Sequence, residues 1–272
     1  MFQSSPPFIY DYNIIFMSAN AAEQKQNQDQ LFEFLIIESK KANEQFGNSK
    51  SLNFTSDDNV NKGLSDITNR PYLFVLGCVM DRQVKAEQSW KIPDKVCSHF
   101  DIKKFDELAR LTKSDIIKCF KDETLHRFND IMGENFYDAV QRIKNVYHGD
   151  ASEIWEGEPS SALVVYRFLC FKGVGIKIAT MATNILQRDL GVKFSDKSAI
   201  DVSPDVHVRR ILYRLGLTDN QEDIQQAVYM AKAINPSYPG IIDLYCWDVG
   251  RKYCENKKCE GCPLNEYCEK KD

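Results

Sequence analysis

Phe171-Lys172-Gly173-Val174-Gly175-Ile176-Lys177 opens onto an apolar helical stretch, Ile178 to Leu186. Glycine at both turn positions lets a ligand come close to the backbone without meeting a Cβ. A helix beginning just after the turn leaves its first amide N–H groups unpaired and pointing outward. An anion such as a phosphate suits that place. Lys177, two residues past the second glycine, adds an amine to it. A plainer reading stands beside this one: the glycines shape a turn between two helices, and Lys177 is a solvated first-turn residue. The missing third glycine and the helical surroundings disfavour a dinucleotide-binding βαβ fingerprint.

Working outward, helix-period patterning recurs and period-two alternation is almost absent, so the chain is expected to be all-α. Leu31, Phe32, Leu35 and Ile36 mark a helix over Asp29 to Phe46, followed by a polar stretch, Gly47 to Gly63, that reads as a long loop. Pro71 suits the first position of a helix over Tyr72 to Met80. Thr112 with Asp115 has the form of a capping box before Ile116 to Phe120, and Asp150 with Glu153 repeats it. Further helices are expected over Glu134 to Tyr147, Ser161 to Cys170, Lys177 to Arg188, Val206 to Leu215, Gln221 to Ile234 and Ile241 to Tyr253. Between Arg188 and Pro204 the pattern breaks into a connector, where a crossing between domains is expected.

The 272 residues are 43% hydrophobic and 27% charged, an ordinary globular composition. No apolar run approaches the roughly 20 residues that span a bilayer. Residues 1–16 contain no Lys or Arg and are interrupted by Pro6, Pro7 and Asp11, unlike a signal peptide, and Met17 is read as the start of the native chain. A net charge of −4 argues mildly against indiscriminate nucleic-acid binding. The segment from Arg167 to Arg214 nevertheless adds Lys172, Lys177, Arg188, Lys193, Lys197, Arg209 and Arg210 against four aspartates. The balance is basic around the glycine turn.

Two more constellations bear on chemistry. Asp205-Val206-His207-Val208-Arg209-Arg210 opens the next helix, where an Asp is commonly just an N-cap. An Asp able to approach a lysine at a neighbouring helix start also supplies an anion beside a nucleophile. Of nine cysteines, Cys78, Cys97, Cys119, Cys170 and Cys246 are scattered among apolar neighbours and read as small core residues. Cys254, Cys259, Cys262 and Cys268 crowd the last nineteen residues as C-x4-C-x2-C-x5-C, with Pro263 after the third. Four thiolates in one tight loop suit a cubane iron–sulfur cluster, and zinc is the alternative.

Turn, lysine, downstream Asp and terminal cysteines, in this order, resemble the helix-hairpin-helix base-excision DNA glycosylases, in particular the endonuclease III-like branch with a carboxy-terminal [4Fe-4S] loop. The resemblance covers roughly residues 70–268. Phe171 to Ala179 is similar to that family's Leu-Pro-Gly-Val-Gly-Arg-Lys-Thr-Ala hairpin and places Lys177 at the nucleophilic lysine of bifunctional members. Asp205-Val206-His207 is similar to a Val-Asp-Thr-His segment and places Asp205 at the catalytic aspartate. Asp248-Val249-Gly250 resembles the helix leading into the cluster loop. Gln83, with Arg82 competing, matches the residue that fills the gap left by a flipped base. The chain departs from the family in a first cysteine gap of four rather than six, in Lys172 for the hairpin proline, and in a longer connector from Lys177 to Asp205.

The resemblance implies a two-lobed all-α helix-hairpin-helix fold with a carboxy-terminal iron–sulfur loop. Its expected division is a flexible leader over 1–25, a helical barrel over 71–203, and a lobe made of 26–70 with 204–272. It also implies Gly173, Val174 and Gly175 on the DNA backbone, Lys177 and Asp205 in catalysis, and Cys254, Cys259, Cys262 and Cys268 on a [4Fe-4S] cluster, beside a basic loop with Lys257 and Lys258. The expected partner of this monomer is double-stranded DNA carrying a damaged, mismatched or modified base. A nuclear or nucleoid location follows, without a membrane or secreted role. A non-catalytic or redox-responsive iron–sulfur nucleic-acid-binding protein is the other reading, as is a zinc-stabilised helical interaction protein.

Overall fold

The computed structural model describes residues 12–47 and 52–269. Its elements in chain order are α1 Tyr12–Gly47, α2 Asp58–Ser65, α3 Pro71–Met80, α4 Ala86–Ser89, α5 Ile92–His99, α6 Phe105–Leu108, α7 Lys113–Asp122 and α8 Asn129–Val146. A 3₁₀ turn, Ala151–Ile154, precedes α9 Ser161–Leu169, α10 Ile176–Arg188, α11 Val206–Arg214 and α12 Ile224–Ile234. A second 3₁₀ turn, Pro239–Ile242, leads into α13 Asp243–Val249, which ends in a π-helical turn, Gly250–Cys254. No strand occurs among the described residues. The expected all-α class is the observed one.

Two apolar cores organise these helices. In the first, α3 is apolar on every face, and all ten of its residues are buried. A helix without a polar face can only sit at a centre. α2, α5, α8, α10 and the Ala151–Ile154 turn surround it, α7 lies on α8, and α9 pairs with α10. The second core joins Leu31 and Leu35 of α1 to Ile200, Val202 and residues of α11, α12 and α13, down to Leu264. Phe194, in the connector between α10 and α11, packs against both cores. A sequence-distant helix, α1, thus closes the carboxy-terminal half.

Several local expectations are altered by tertiary contact. The polar stretch read as a loop contains α2, because the Asp57 carboxylate accepts from the N–H groups of Asn59 and Val60, and Val60 and Leu64 fall on one buried face. Leu52, Val60 and Leu64 belong to the first core, although residues 26–70 were expected to fall with the second. The short helices α4, α5 and α6 were not expected at all. α1 takes in residues 12–25 of the expected leader, whose residues 1–11 lie outside the described ones. Thr112 and Asp115 form the reciprocal capping box expected of them. Asp150 caps its turn, but Glu153 meets His148 at 3.2 Å instead of closing a box.

The cores are joined by a buried polar knot. Asn184 of α10 donates to the Gly240 carbonyl at 3.0 Å and accepts from the Tyr238 hydroxyl at 2.5 Å. Gly240 N–H in turn donates to the Ile200 carbonyl at 2.6 Å. No helix among the described residues is long and apolar enough to cross a membrane. Tyr238→Phe removes the donor and strands the Asn184 oxygen in the interior, which costs about 1–3 kcal/mol. Urea titration of the variant is expected to show that loss as a lower midpoint with an unchanged slope.

Candidate active site and cysteine loop

α9, the turn and α10 form the hairpin that the glycines predicted. Phe171 and Val174 are buried and anchor the turn in the first core, and Val174 N–H donates to the Phe171 carbonyl at 3.1 Å. Gly173 has φ +85°, the left-handed region. A Cβ there would also stand 2.5 Å from Asn135 Nδ2 and 3.7 Å from Arg82 Nη1. Gly175, the N-cap of α10, is extended, and a Cβ there would meet nothing within 4 Å. The amides of Ile176, Lys177 and Ile178, in the first turn, have no carbonyl one turn behind them. An approaching anion therefore finds an open backbone and the positive end of a 13-residue helix.

Lys177 projects from that first turn with an exposed side chain. Carboxylates from two other elements sense its charge. Asp81, at the end of α3, accepts from Ser89 Oγ at 3.1 Å; burial raises its pKa, against the opposing pull of Lys177. Asp243, the first residue of α13, keeps some exposed surface, yet protein atoms crowd its carboxyl, and burial pushes its pKa up to about 7. Arg188 and Lys177 oppose that rise, while the neighbouring Asp205 charge adds to it. Asp205 itself caps α11, its Oδ1 accepting from His207 N–H and Val208 N–H, each at 2.9 Å. The plain capping role is the one its hydrogen bonds show, and its charge acts on Asp243.

Ser203 ties these groups together. Its N–H donates to Asp243 Oδ1 at 3.0 Å, its hydroxyl reaches the Lys177 carbonyl at 3.5 Å, and its carbonyl accepts the Asp205 N–H at 2.7 Å. Arg82 and Gln83 are both exposed on the loop after α3, and Gln83 has φ +55°. The Arg82 carbonyl is held by His126 Nε2 at 3.0 Å, while its guanidinium lies toward Gly173. The basic balance around the turn is partly neutralised. Lys172 meets Asp138 at 2.9 Å and Glu134 at 3.5 Å, and Arg188 pairs with Asp189 at 2.7 Å where both are mostly buried.

Cys254, Cys259, Cys262 and Cys268 line one cavity of about 90 Å³ with Arg214, Tyr253, Lys257 and Asn265. No disulfide joins the nine cysteines. Burial raises the Cys254 thiol pKa against the hydrogen bond from Arg214, and burial together with the other three cysteines raises that of Cys262. Such thiols ionise when a cation repays the burial. Among the described residues no three His, Cys, Asp or Glu side chains converge as around a single metal ion. Four thiols on one cavity wall are a donor set of the kind that holds a zinc ion or an iron–sulfur cluster.

No family model matches this sequence, and neither does any curated protein. Among solved structures, a trapped endonuclease III–DNA covalent intermediate in its estranged-adenine complex matches with a TM-score of 0.59 at 15% identity, over 88% of this chain and 95% of that one. A non-covalent endonuclease III–DNA complex matches with the same score and identity, over 88% and 94%. The fold is that of endonuclease III. It is reached here by a sequence sharing about one residue in seven with those chains.

On the endonuclease III fold, Lys177 and Asp205 converge on Asp243, and the four cysteines share one cavity. Asp81, Asn135, Ser203 and Asp243 are the site residues that sequence reasoning missed. Asp243 carried a signal, because it is an acid inside the apolar run Ile241 to Trp247; Asp81, at the end of an equally apolar run, carried another. The two glycines are expected to respond differently to alanine. Gly173→Ala meets both a positive φ and Asn135, and lowers stability by at least about 1–2 kcal/mol. Gly175→Ala leaves it unchanged, as thermal unfolding of the pair will show.

Proposed function

We propose that this chain is a DNA base-excision repair glycosylase with β-elimination AP lyase activity, acting on double-stranded DNA that carries a damaged, mismatched or modified base. The observation that carries the reading is Lys177 in the open first turn of α10, joined through Ser203 to Asp243 and Asp205. A pure binding module has no use for that arrangement. An amine backed by carboxylates at an anion-accepting helix start is what covalent attack beside a phosphate requires.

In this reading Gly173, Val174 and Gly175 hold a DNA phosphate through main-chain N–H groups, with the turn rigidly seated in the first core. Extruding a base costs a few kcal/mol, offset by phosphate contacts and by a side chain inserted in its place. Gln83 and Arg82, exposed on the loop after α3, are the candidates for that insertion. Once deprotonated, Lys177 attacks C1′ and the base leaves with the electron pair of the glycosidic bond. The resulting imine permits loss of the C2′ proton and departure of the 3′ phosphate. Asp205 stabilises the positive charge that grows on the sugar before attack is complete.

Cys254, Cys259, Cys262 and Cys268 would hold a [4Fe-4S] cluster, which supplies structural order to the loop that carries Lys257 and Lys258. Those two exposed lysines then face the DNA backbone. A brown protein with iron and sulfide in equal amounts is expected after anaerobic purification. Stoichiometric zinc in a colourless preparation would assign the cavity to zinc instead. The same reading puts the enzyme with DNA, at the nucleoid or in a nucleus, as a monomer.

Borohydride trapping on a duplex with an abasic site tests the chemistry. Wild type is expected to crosslink, Lys177→Ala to fail altogether, and Asp205→Asn to slow the reaction by roughly 10²–10³-fold, the order lost with one preorganised electrostatic group. Gly175→Ala is expected to weaken duplex binding about tenfold while leaving the fold intact. Base release without crosslinking would leave a monofunctional glycosylase. Tight DNA binding with neither activity would overturn the enzyme reading in favour of a non-catalytic binder.

A further inference from the structure

Three helix starts meet at Ser203. Its N–H is held by the Asp243 carboxylate at 3.0 Å, its hydroxyl reaches the Lys177 carbonyl at 3.5 Å, and its carbonyl takes the Asp205 N–H at 2.7 Å. Lys177 begins α10, Asp205 caps α11 and Asp243 begins α13. We propose that Asp243 is a positioning residue of the Lys177–Asp205 centre, fixing both through Ser203 and setting, by its own protonation, how much negative charge faces the lysine. The proposal rests on the reading of Lys177 and Asp205 given above and adds to it a control that neither residue contains.

The groups around the Asp243 carboxyl come from every neighbouring element. α10 contributes Lys177 at one end and Arg188 at the other, and Arg188 is already engaged by Asp189 and lies near Tyr238. The start of α11 contributes Asp205, and one turn along α13 the Cys246 thiol is pushed up partly by Asp243 and Asp205. His207 of α11 faces Gly250, and Glu38 of α1 acts on Tyr245, farther along the helix. Burial and the Asp205 charge outweigh the two cations, so that Asp243 changes charge near pH 7. Below that pH one anion fewer stands against the start of α10. Above it the Asp243 charge adds to that of Asp205 in favouring the cationic sugar.

Asp243→Asn separates the two contributions, because its side-chain oxygen still accepts from Ser203 N–H but no longer titrates. The rate of borohydride trapping in wild type is expected to bend near pH 7 and that of the Asn variant to pass through the same pH without a bend. Asp243→Ala, which lacks the acceptor, is expected to be slower at every pH. A bend retained in Asp243→Asn overturns the proposal. A second measurement does not need activity. Carbon-13 carboxyl NMR of the full chain, with the Asp243 signal assigned by its absence in Asp243→Asn, should show a midpoint near 7 that rises in Lys177→Met and falls in Asp205→Asn. A midpoint in the ordinary carboxylate range of about 3.5–4, indifferent to both substitutions, overturns the coupling even where wild type crosslinks normally. Failure of wild type to crosslink while Asp243 titrates as described instead removes the lyase reading and leaves the coupling standing.

Discussion

Asn184 holds the molecule's two halves in register. Its amide donates to the Gly240 carbonyl and accepts the Tyr238 hydroxyl, all inside a region closed to water. A buried amide must satisfy both its donor and its acceptor at once, so this contact tolerates almost no sliding. Asn184 lies two turns along α10 from Lys177, and Gly240 lies three residues before Asp243. The knot therefore ties the helix that carries the exposed Lys177 to the segment that leads into Asp243. Without it the candidate site would be two unrelated helix starts on separate bodies.

With that tie in place, the electrostatics follow from where each charge is allowed to sit. Lys177 stays in solvent at the positive end of α10, where a helix does not favour a cation and does favour an anionic ligand. Asp81 and Asp243 approach it from the two cores, and both are raised by burial. Asp205 is held by two backbone N–H groups at the start of α11. One carboxylate is thus fixed by the backbone and the other is enclosed by protein. Arg188, which might have quenched Asp243, is shared with Asp189 in a mostly buried pair.

The cysteine loop answers a different constraint. The last described segment, beyond the π-helical turn at Gly250–Cys254, has no helix of its own and meets the second core through Leu264, Cys262 and Tyr267, whose ring lies 5.0 Å from that of Phe34. Its three thiols, Cys259, Cys262 and Cys268, line a cavity together with Cys254 of that turn. A bound cluster would supply the cohesion that apolar packing does not. The π-helical turn ends at Cys254, which lines the cavity beside Arg214.

By itself the sequence determined the helical class, the hairpin and the bounds of helices such as α3, α9, α10 and α11, since these depend on local rules: 3.6-residue periodicity and Pro at a first position, as the start of α7 depends on Thr112 capping with Asp115. It also singled out Lys177, Asp205 and the cysteine quartet, because spacing along a chain survives folding. α2 was hidden, as its polar residues read as loop until Val60 and Leu64 found a core to face. Asp81, Asn135, Ser203 and Asp243 were invisible as a site, being separated by up to 162 residues and brought together only by tertiary packing. Only the folded structure decided that Asp243 would be enclosed beside Asp205 and Lys177. A carboxyl's proton affinity is set by the dielectric and charges around it, and those belong to the three-dimensional arrangement.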